Sequence, residues 1–301
     1  MERPFVEWHQ ATVPAGAISE GLGITGDGSQ MQGTLRKMRA EPNEPVSYHL
    51  PLGDFFVPLA PFLGNTLHLH YQGAIVCVAC NRPTKKSYNQ GYCFVCFRRL
   101  AACDMCILKP ETCHYHLGTC REPEWGVKHC MTPHVVYLAN STGLKVGITR
   151  ESQLPTRWLD QGAIQALPIF RVATRYQSGL METLLARYIP DRTNWQALIK
   201  ADSQLIDLQA ERDALLSRCL QEIEDLKSRF PGQIQMLPDA ESQSFHYPVL
   251  EYPKKIVSFN FDKSEDVAGT LLGIKGQYLL LDTGVINIRK YTSYQVELLT
   301  I

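Results

Sequence analysis

The sequence predicts an α+β fold on three observations. Apolar and polar residues alternate with strand period near both ends of the chain. A strand–strand–helix–strand–helix order fills the middle, and a Cys-rich stretch ahead of it has almost no apolar periodicity. At 301 residues the chain is long for one minimal core and suits several packed units.

Residues 1–76 read as an N-terminal β region with a mobile arm. ATVPAGAISEGLGITGDGSQ, residues 11–30, is Gly-rich and weakly patterned, which marks the arm. GTLRKM, VSYHL and NTLHLHYQGAIV then read as strands. In the last of these Leu67, Leu69 and Tyr71 alternate with His68, His70 and Gln72. His68 and His70 therefore share the polar face of a strand, with metal binding by the pair as the lesser alternative.

Residues 77–133 read as a zinc-binding region, where a metal replaces the missing apolar core. Cys77-x-x-Cys80 and Cys93-x-x-Cys96 are separated by twelve residues, the paired-knuckle spacing of a zinc ribbon. Each CxxC turn aims two thiolates at one centre, and two turns close a tetrahedron. Gly91 suits a tight turn ahead of the second pair. Two disulfides or an iron–sulfur cluster compete on spacing alone. A second set holds Cys103, Cys106, Cys113, Cys120 and Cys130, with His114, His116, His129 and His134 among them. The first four of these cysteines are the expected second site, with His116 or Cys130 as substitutes. A closed four-thiolate site leaves no position for water, so one or two Zn²⁺ ions are expected in a structural role.

Residues 134–195 form the α/β unit. HVVYLA and LKVGIT read as strands joined by the turn NSTG, and PTRWLDQGA reads as a helix with Pro155 near its start. ALPIFRVAT reads as a third strand and SGLMETLLARYI as a second helix. A long helix is expected to follow over 196–232, beginning near Trp195. Leu208, Leu215, Cys219, Ile223, Leu226 and Phe230 make one apolar stripe on it, and Pro231-Gly232 stops it. Cys219, alone on that stripe, reads as a small buried hydrophobe. Residues 255–301 return to strands at KIVSFNF, VAGTLLGI, QYLLLDT, VINIRKY and YQVELL. They predict a small β barrel or sheet, packed with residues 31–76.

The 30 basic and 30 acidic residues balance, which excludes a uniformly basic coat. The charge is uneven, however. Residues 81–100 hold Arg82, Lys85, Lys86, Arg98 and Arg99 and no acid, while 134–200 hold eight Lys/Arg against four Asp/Glu. Tyr88, Tyr92, Phe94 and Phe97 interleave with the first basic set. That composition suits a surface for single-stranded nucleic acid, or equally a shell that offsets a tetrathiolate charge and buries the knuckles. No apolar run approaches the roughly 20 residues of a membrane helix. The opening MERPFVEWHQ has no basic segment ahead of an apolar one, so the cytoplasm is the expected compartment.

Within the α/β unit, Val135-Val136-Tyr137 and Lys145-Val146-Gly147 lie on the two strands of the hairpin. With Arg157 at the first helix, Glu182 in the second and Asn194 just beyond, residues 134–195 resemble the GIY-YIG nuclease core. The resemblance implies a divalent-metal-dependent endonuclease with Tyr137, Lys145, Arg157, Glu182 and Asn194 as its site. Val135 replaces the first glycine of that motif and Lys145 its second tyrosine. Taken with HVVYLANSTGLKVGITR, PTRWLDQGA, TNW and GIKGQYLLLDTGVINIRK, the whole chain also resembles a bacterial family of uncharacterised cysteine-rich proteins.

The chemistry of that set is coherent. A carboxylate such as Glu182 can hold Mg²⁺ or Mn²⁺ against a phosphate, and Arg157 can brace charge developing on phosphorus. Tyr137 could take a proton from water if a cation such as Lys145 lowered its pKa from about 10. Each residue also has an ordinary duty: Tyr137 as a core aromatic, Arg157 and Glu182 on a solvated face, Asn194 as a helix cap. The functional expectation is a zinc-stabilised protein acting on nucleic acid, DNA or RNA, as a metal-dependent phosphodiesterase. The alternative is a non-catalytic zinc protein that binds nucleic acid or a ribonucleoprotein and keeps the core as scaffold.

Overall fold

The computed structural model describes residues 31–189, 194–201, 203–254 and 256–299, and the arm expected over 11–30 lies outside them. Five strands come first: β1 (Met31–Thr34), β2 (Arg39–Glu41), β3 (Ser47–Leu52), β4 (Phe55–Pro58) and β5 (Thr66–Ile75). The Cys-rich stretch, lacking apolar periodicity, makes only the short helices α1 (Phe94–Arg99) and α2 (Pro123–His129) and single 3-10 turns between them. Next come β6 (His134–Asn140), β7 (Leu144–Arg150), α3 (Thr156–Asp160), β8 (Gln165–Val172) and α4 (Arg175–Ala186). The helices α5 (Trp195–Leu198), α6 (Leu208–Arg218) and α7 (Leu220–Arg229) precede two short strands, β9 (Ile234–Met236) and β10 (Gln243–Ser244). The chain closes with β11 (Asp266–Lys275), β12 (Tyr278–Leu281), β13 (Gly284–Asn287) and β14 (Tyr294–Leu299).

The fold is α+β, as the sequence predicts. The C-terminal strands form an open antiparallel sheet and not a closed barrel, in the order β1-β14-β5-β11-β12-β13. β5 sits between β14 and β11, so strands from both ends of the chain share one sheet. Its alternation places Leu67 and Leu69 in the core, while His68 and His70 both bond the Asp266 carboxylate, at 2.7 and 3.0 Å. The second sheet runs β10-β8-β6-β7, with β9 also on β8, and β2-β3-β4 form a third.

β6 is buried along its whole length because both of its faces are covered. Val135, Tyr137 and Ala139 pack with the six-stranded sheet, while Val136 and Leu138 pack with α4, α6 and α7. This strand is therefore the seam between the two cores.

Two expectations fail here. The long helix is three helices. Asp207 starts α6 by accepting the Ala210 N–H, and Cys219, at φ −124° and ψ 23°, leaves helical geometry between α6 and α7. Leu208, Leu215, Cys219, Ile223 and Leu226 are nevertheless all buried in one core. An apolar stripe specifies which side faces inward and leaves continuity open. In KIVSFNF, the described residues 256–261 do not form a strand either. Their backbone contributes an isolated bridge at Ser258, while Phe259 and Phe261 serve as packing side chains.

Candidate functional site: cysteine knuckles and a basic cleft

The first knuckle begins where β5 ends. Cys77 accepts the Cys93 N–H at 3.2 Å, and Cys93 in turn accepts the Cys96 N–H at 3.5 Å. Such N–H···S bonds stabilise thiolates and orient them inward. At Gly91 a side chain is excluded twice, since φ is +135° and a Cβ would lie 2.7 Å from Val78. The four sulfurs of Cys77, Cys80, Cys93 and Cys96 lie within 4.8 Å of one another. Cys80 and Cys93 are 3.8 Å apart, close to the spacing of about 3.8 Å that sulfurs at about 2.3 Å from one tetrahedral ion require. A disulfide would need about 2.05 Å, and all ten cysteines are unpaired. Burial pushes the Cys77 thiol up, but the N–H groups of Cys93, Ala79 and Cys80 outweigh it and bring it down to about 6. Burial and the three neighbouring thiols push Cys96 up to about 12. Four such groups can all ionise only around a cation, so the donor set fits a structural metal ion.

The aromatic residues of this knuckle stack on one another and carry the cations. Tyr88 packs on Phe97 and Phe94, Lys86 lies over Tyr88, and Arg98 lies over Phe94, which stays half exposed.

In the second cysteine set, Cys106, Cys113, Cys120 and Cys130 line one small pocket. Cys103 does not line it, and His116 packs against Tyr176 instead. Cys103 belongs to the turn between the two knuckles, where its Coulombic neighbours include Cys77, Arg121 and Glu122. Of the expected second set, Cys106, Cys113 and Cys120 line this pocket together with Cys130, and Cys103 does not.

A cleft of about 790 Å³ opens between β7, α3, α4 and the Cys-rich region. Its walls carry the six cations Lys37, Lys145, Arg150, Arg157, Arg175 and Arg289, and one acid, Glu182. Both knuckles contribute: Asn89, Gln90 and Tyr92 come from the first, and Ile107, Leu108 and Pro110 from the second. The second knuckle docks on α4 at Gly179, where a Cβ would lie 2.4 Å from the Glu111 nitrogen. Arg175 ties the same two parts together by donating to the Ile107 carbonyl at 2.6 Å.

Of the five proposed catalytic residues, Lys145, Arg157 and Glu182 line this cleft directly. Tyr137 lies just beneath its floor. It pairs across the hairpin with Gly147, where a Cβ would meet the tyrosine ring and hydroxyl at 2.7 Å. The third residue of Lys145-Val146-Gly147 is therefore glycine because the Tyr137 ring occupies the space above it. The hydroxyl donates to Gln161 at 2.9 Å, and the ring packs edge-on to Trp158. Burial pushes Tyr137 up to about 12, and Arg157 is the cation that pulls against it. The expectation that a neighbouring cation brings Tyr137 toward neutrality is thereby overturned, because desolvation outweighs the charge. Asn194 is not among the cleft residues; its side chain caps α5 by accepting the Gln196 and Ala197 N–H groups.

Sequence reasoning missed Lys37, Arg150, Arg175 and Arg289. Arg150 ends β7 and Arg175 begins α4, so their positions on the expected elements were a usable signal. Lys37 lies in the loop between β1 and β2 and Arg289 in the 3-10 turn Ile288–Tyr291, and neither carried one.

Residues 64–296 match the family model DUF2797, described as a protein of unknown function, and the chain belongs to that family. No curated protein and no solved structure matches it. The matched span holds both cysteine sets and every charged cleft residue named above except Lys37. Among the described residues, no helix is long and apolar enough to cross a membrane.

Proposed function

We propose that the protein is a zinc-stabilised, nucleic-acid-acting protein that seats a phosphodiester backbone in the basic cleft, beside a divalent ion held at Glu182. The observation that carries this reading is the cleft's charge: Lys145, Arg150, Arg157 and Arg175 surround Glu182 on a hairpin and two helices ordered as in the nuclease core that the sequence resembles, with Arg289 and the Asp160-paired Lys37 added from elsewhere in the fold. Cations at this density attract a polyanion, and one acid among them has a use if it shares an ion with a phosphate. Zn²⁺ is the knuckle metal on this reading, because four thiolates in a tetrahedron suit it. The unpaired cysteines support a reducing compartment such as the cytoplasm.

Mg²⁺ or Mn²⁺ at Glu182 would supply neutralising charge to a phosphate oxygen. Arg157 would meet charge developing on phosphorus as water attacks and the ester P–O bond breaks. Lys145, opposite Ala139 on the hairpin, would hold the flanking backbone. Tyr137 positions Gln161 through its hydrogen bond, and its high pKa makes it a poor base at neutral pH. That one observation favours a second reading, in which the cleft binds nucleic acid without cutting it.

The test is a panel of single- and double-stranded DNA and RNA with Mg²⁺ or Mn²⁺, comparing wild type with Glu182→Ala. Cleavage that needs the ion and is lost in Glu182→Ala supports the first reading. Salt-dependent binding without cleavage supports the second. Neither binding nor cleavage of any of the four ends both.

A further inference from the structure

The lobe formed by residues 100–133 has almost no apolar interior. Met105, Leu108, Leu117 and Val127 are each at least half exposed, and the buried non-cysteine residues are Ala101, Pro110 and Gly126. Apolar burial cannot hold such a segment in a fixed shape. What its interior does contain is sulfur. Cys106, Cys113, Cys120 and Cys130 come from separate parts of the lobe and line one small pocket of about 10 Å³, room for a single small body, although no three of their sulfurs lie within 4.8 Å of one another as those of the first knuckle do.

We propose that this pocket is a second metal centre, a four-thiolate site for Zn²⁺ made by Cys106, Cys113, Cys120 and Cys130, with the half-buried Arg175 as its counter-charge. Local geometry converges on that centre. Cys106 lies within the turn Met105–Ile107, and Cys113 caps the turn Pro110–Thr112. Cys130 caps α2, with its N–H on the Gly126 carbonyl at 2.7 Å. Gly126 lets α2 close on Cys120, since a Cβ there would stand 2.9 Å from the Tyr115 ring and 3.4 Å from the Cys120 sulfur.

Asp104 and His114 approach Cys106 within 4.8 Å and are the rival ligands. Both are engaged elsewhere. The Asp104 carboxylate pairs with Arg121 at 2.8 Å and accepts the Met105 N–H at 2.6 Å. His114 bonds Thr119 through Nδ1 at 2.7 Å and leans its other nitrogen toward Asp104 at 3.4 Å. They form a polar rim of their own, and the soft donors remain for the metal.

Arg175 supplies an independent observation. Its Nε is buried without a hydrogen-bond partner among the described residues, while its backbone N–H bonds the Cys130 carbonyl at 2.8 Å. Its charge lies within electrostatic reach of Cys130 and Cys106. A half-buried guanidinium gains from nearby negative charge, and a zinc tetrathiolate carries two. Because Arg175 also lines the basic cleft, the centre would brace one cleft wall. The proposal stands apart from the nucleic-acid reading and can hold if that reading fails.

The test is zinc stoichiometry by elemental analysis on the full chain, with X-ray absorption at the zinc edge. Wild type is expected to hold two Zn²⁺ per chain in an all-sulfur shell at about 2.3 Å. Cys130→Ser should drop to one while Cys103→Ser keeps two, and Arg175→Gln should weaken the second site by roughly 10- to 100-fold. One zinc in wild type, or nitrogen and oxygen neighbours at about 2.0 Å, overturns the proposal even if Cys130→Ser fails to fold. Loss of a zinc from Cys103→Ser with none lost from Cys130→Ser overturns the ligand set.

Discussion

Chelating the metal from Cys77, Cys80, Cys93 and Cys96, or replacing Cys93 by Ser, should unfold residues 77–100 and leave the six-stranded sheet standing. The knuckle has little else to hold it: Phe94 and Val95 are half exposed and α1 buries no residue. Structural zinc contributes on the order of 10–16 kcal/mol of apparent binding energy in small finger peptides, and none of it survives chelation. The sheet has its own core in Leu67, Leu69, Val267 and Val296, all fully buried, so it does not depend on the ion. Hydrogen exchange resolves the two: amide protection should vanish over 77–100 and persist over β5, β11 and β14. Protection that survives chelation would mean that packing, and not metal, holds the knuckle. The cleft should suffer too, because Asn89, Gln90 and Tyr92 form part of its wall.

Opposite responses are expected from Arg157→Ala and Glu182→Gln in nucleic-acid binding measured without divalent ions. Arg157 is one of six cations, so its loss should weaken binding to every sequence alike and lower the salt slope by about 1. Glu182 is the one acid on the cleft walls among the described residues, so neutralising it removes repulsion and should tighten binding. With Mg²⁺ or Mn²⁺ present the order changes. Arg157→Ala should then cost on the order of 10²–10³ in cleavage rate, and Glu182→Gln should abolish cleavage. Two variants that move binding in the same direction would show that the charges do not face one ligand.

The sequence made local features legible and left distant ones hidden. Cys77, Cys80, Cys93 and Cys96 were readable because a ribbon's ligands come in two short turns at a fixed spacing. The hairpin of β6 and β7 was readable from a turn between two apolar runs. Cys130 was harder to place than Cys103, since it lines the small pocket only once α2 brings it back beside Cys120, which no spacing encodes. Tyr137 looked like a candidate base because Val135-Val136-Tyr137 stands where the resembled motif has its first tyrosine, with Lys145 on the paired strand as a cation. Its burial comes from packing between two cores, including residues more than a hundred positions away, and burial decides its pKa. Lys37 and Arg289 reach the cleft from the loop after β1 and the turn before β14, two strands far apart in the sequence that pair in one sheet.

The most direct test of the basic cleft as the nucleic-acid site is hydrogen exchange of the full chain with and without a bound oligonucleotide. Added protection should appear along β7 at 145–150 and in the first two turns of α4, where Lys145, Arg150, Arg175 and Glu182 face the cleft. Protection confined to the half-exposed Phe94 and Arg98 side of the first knuckle, with β7 unchanged, would contradict it.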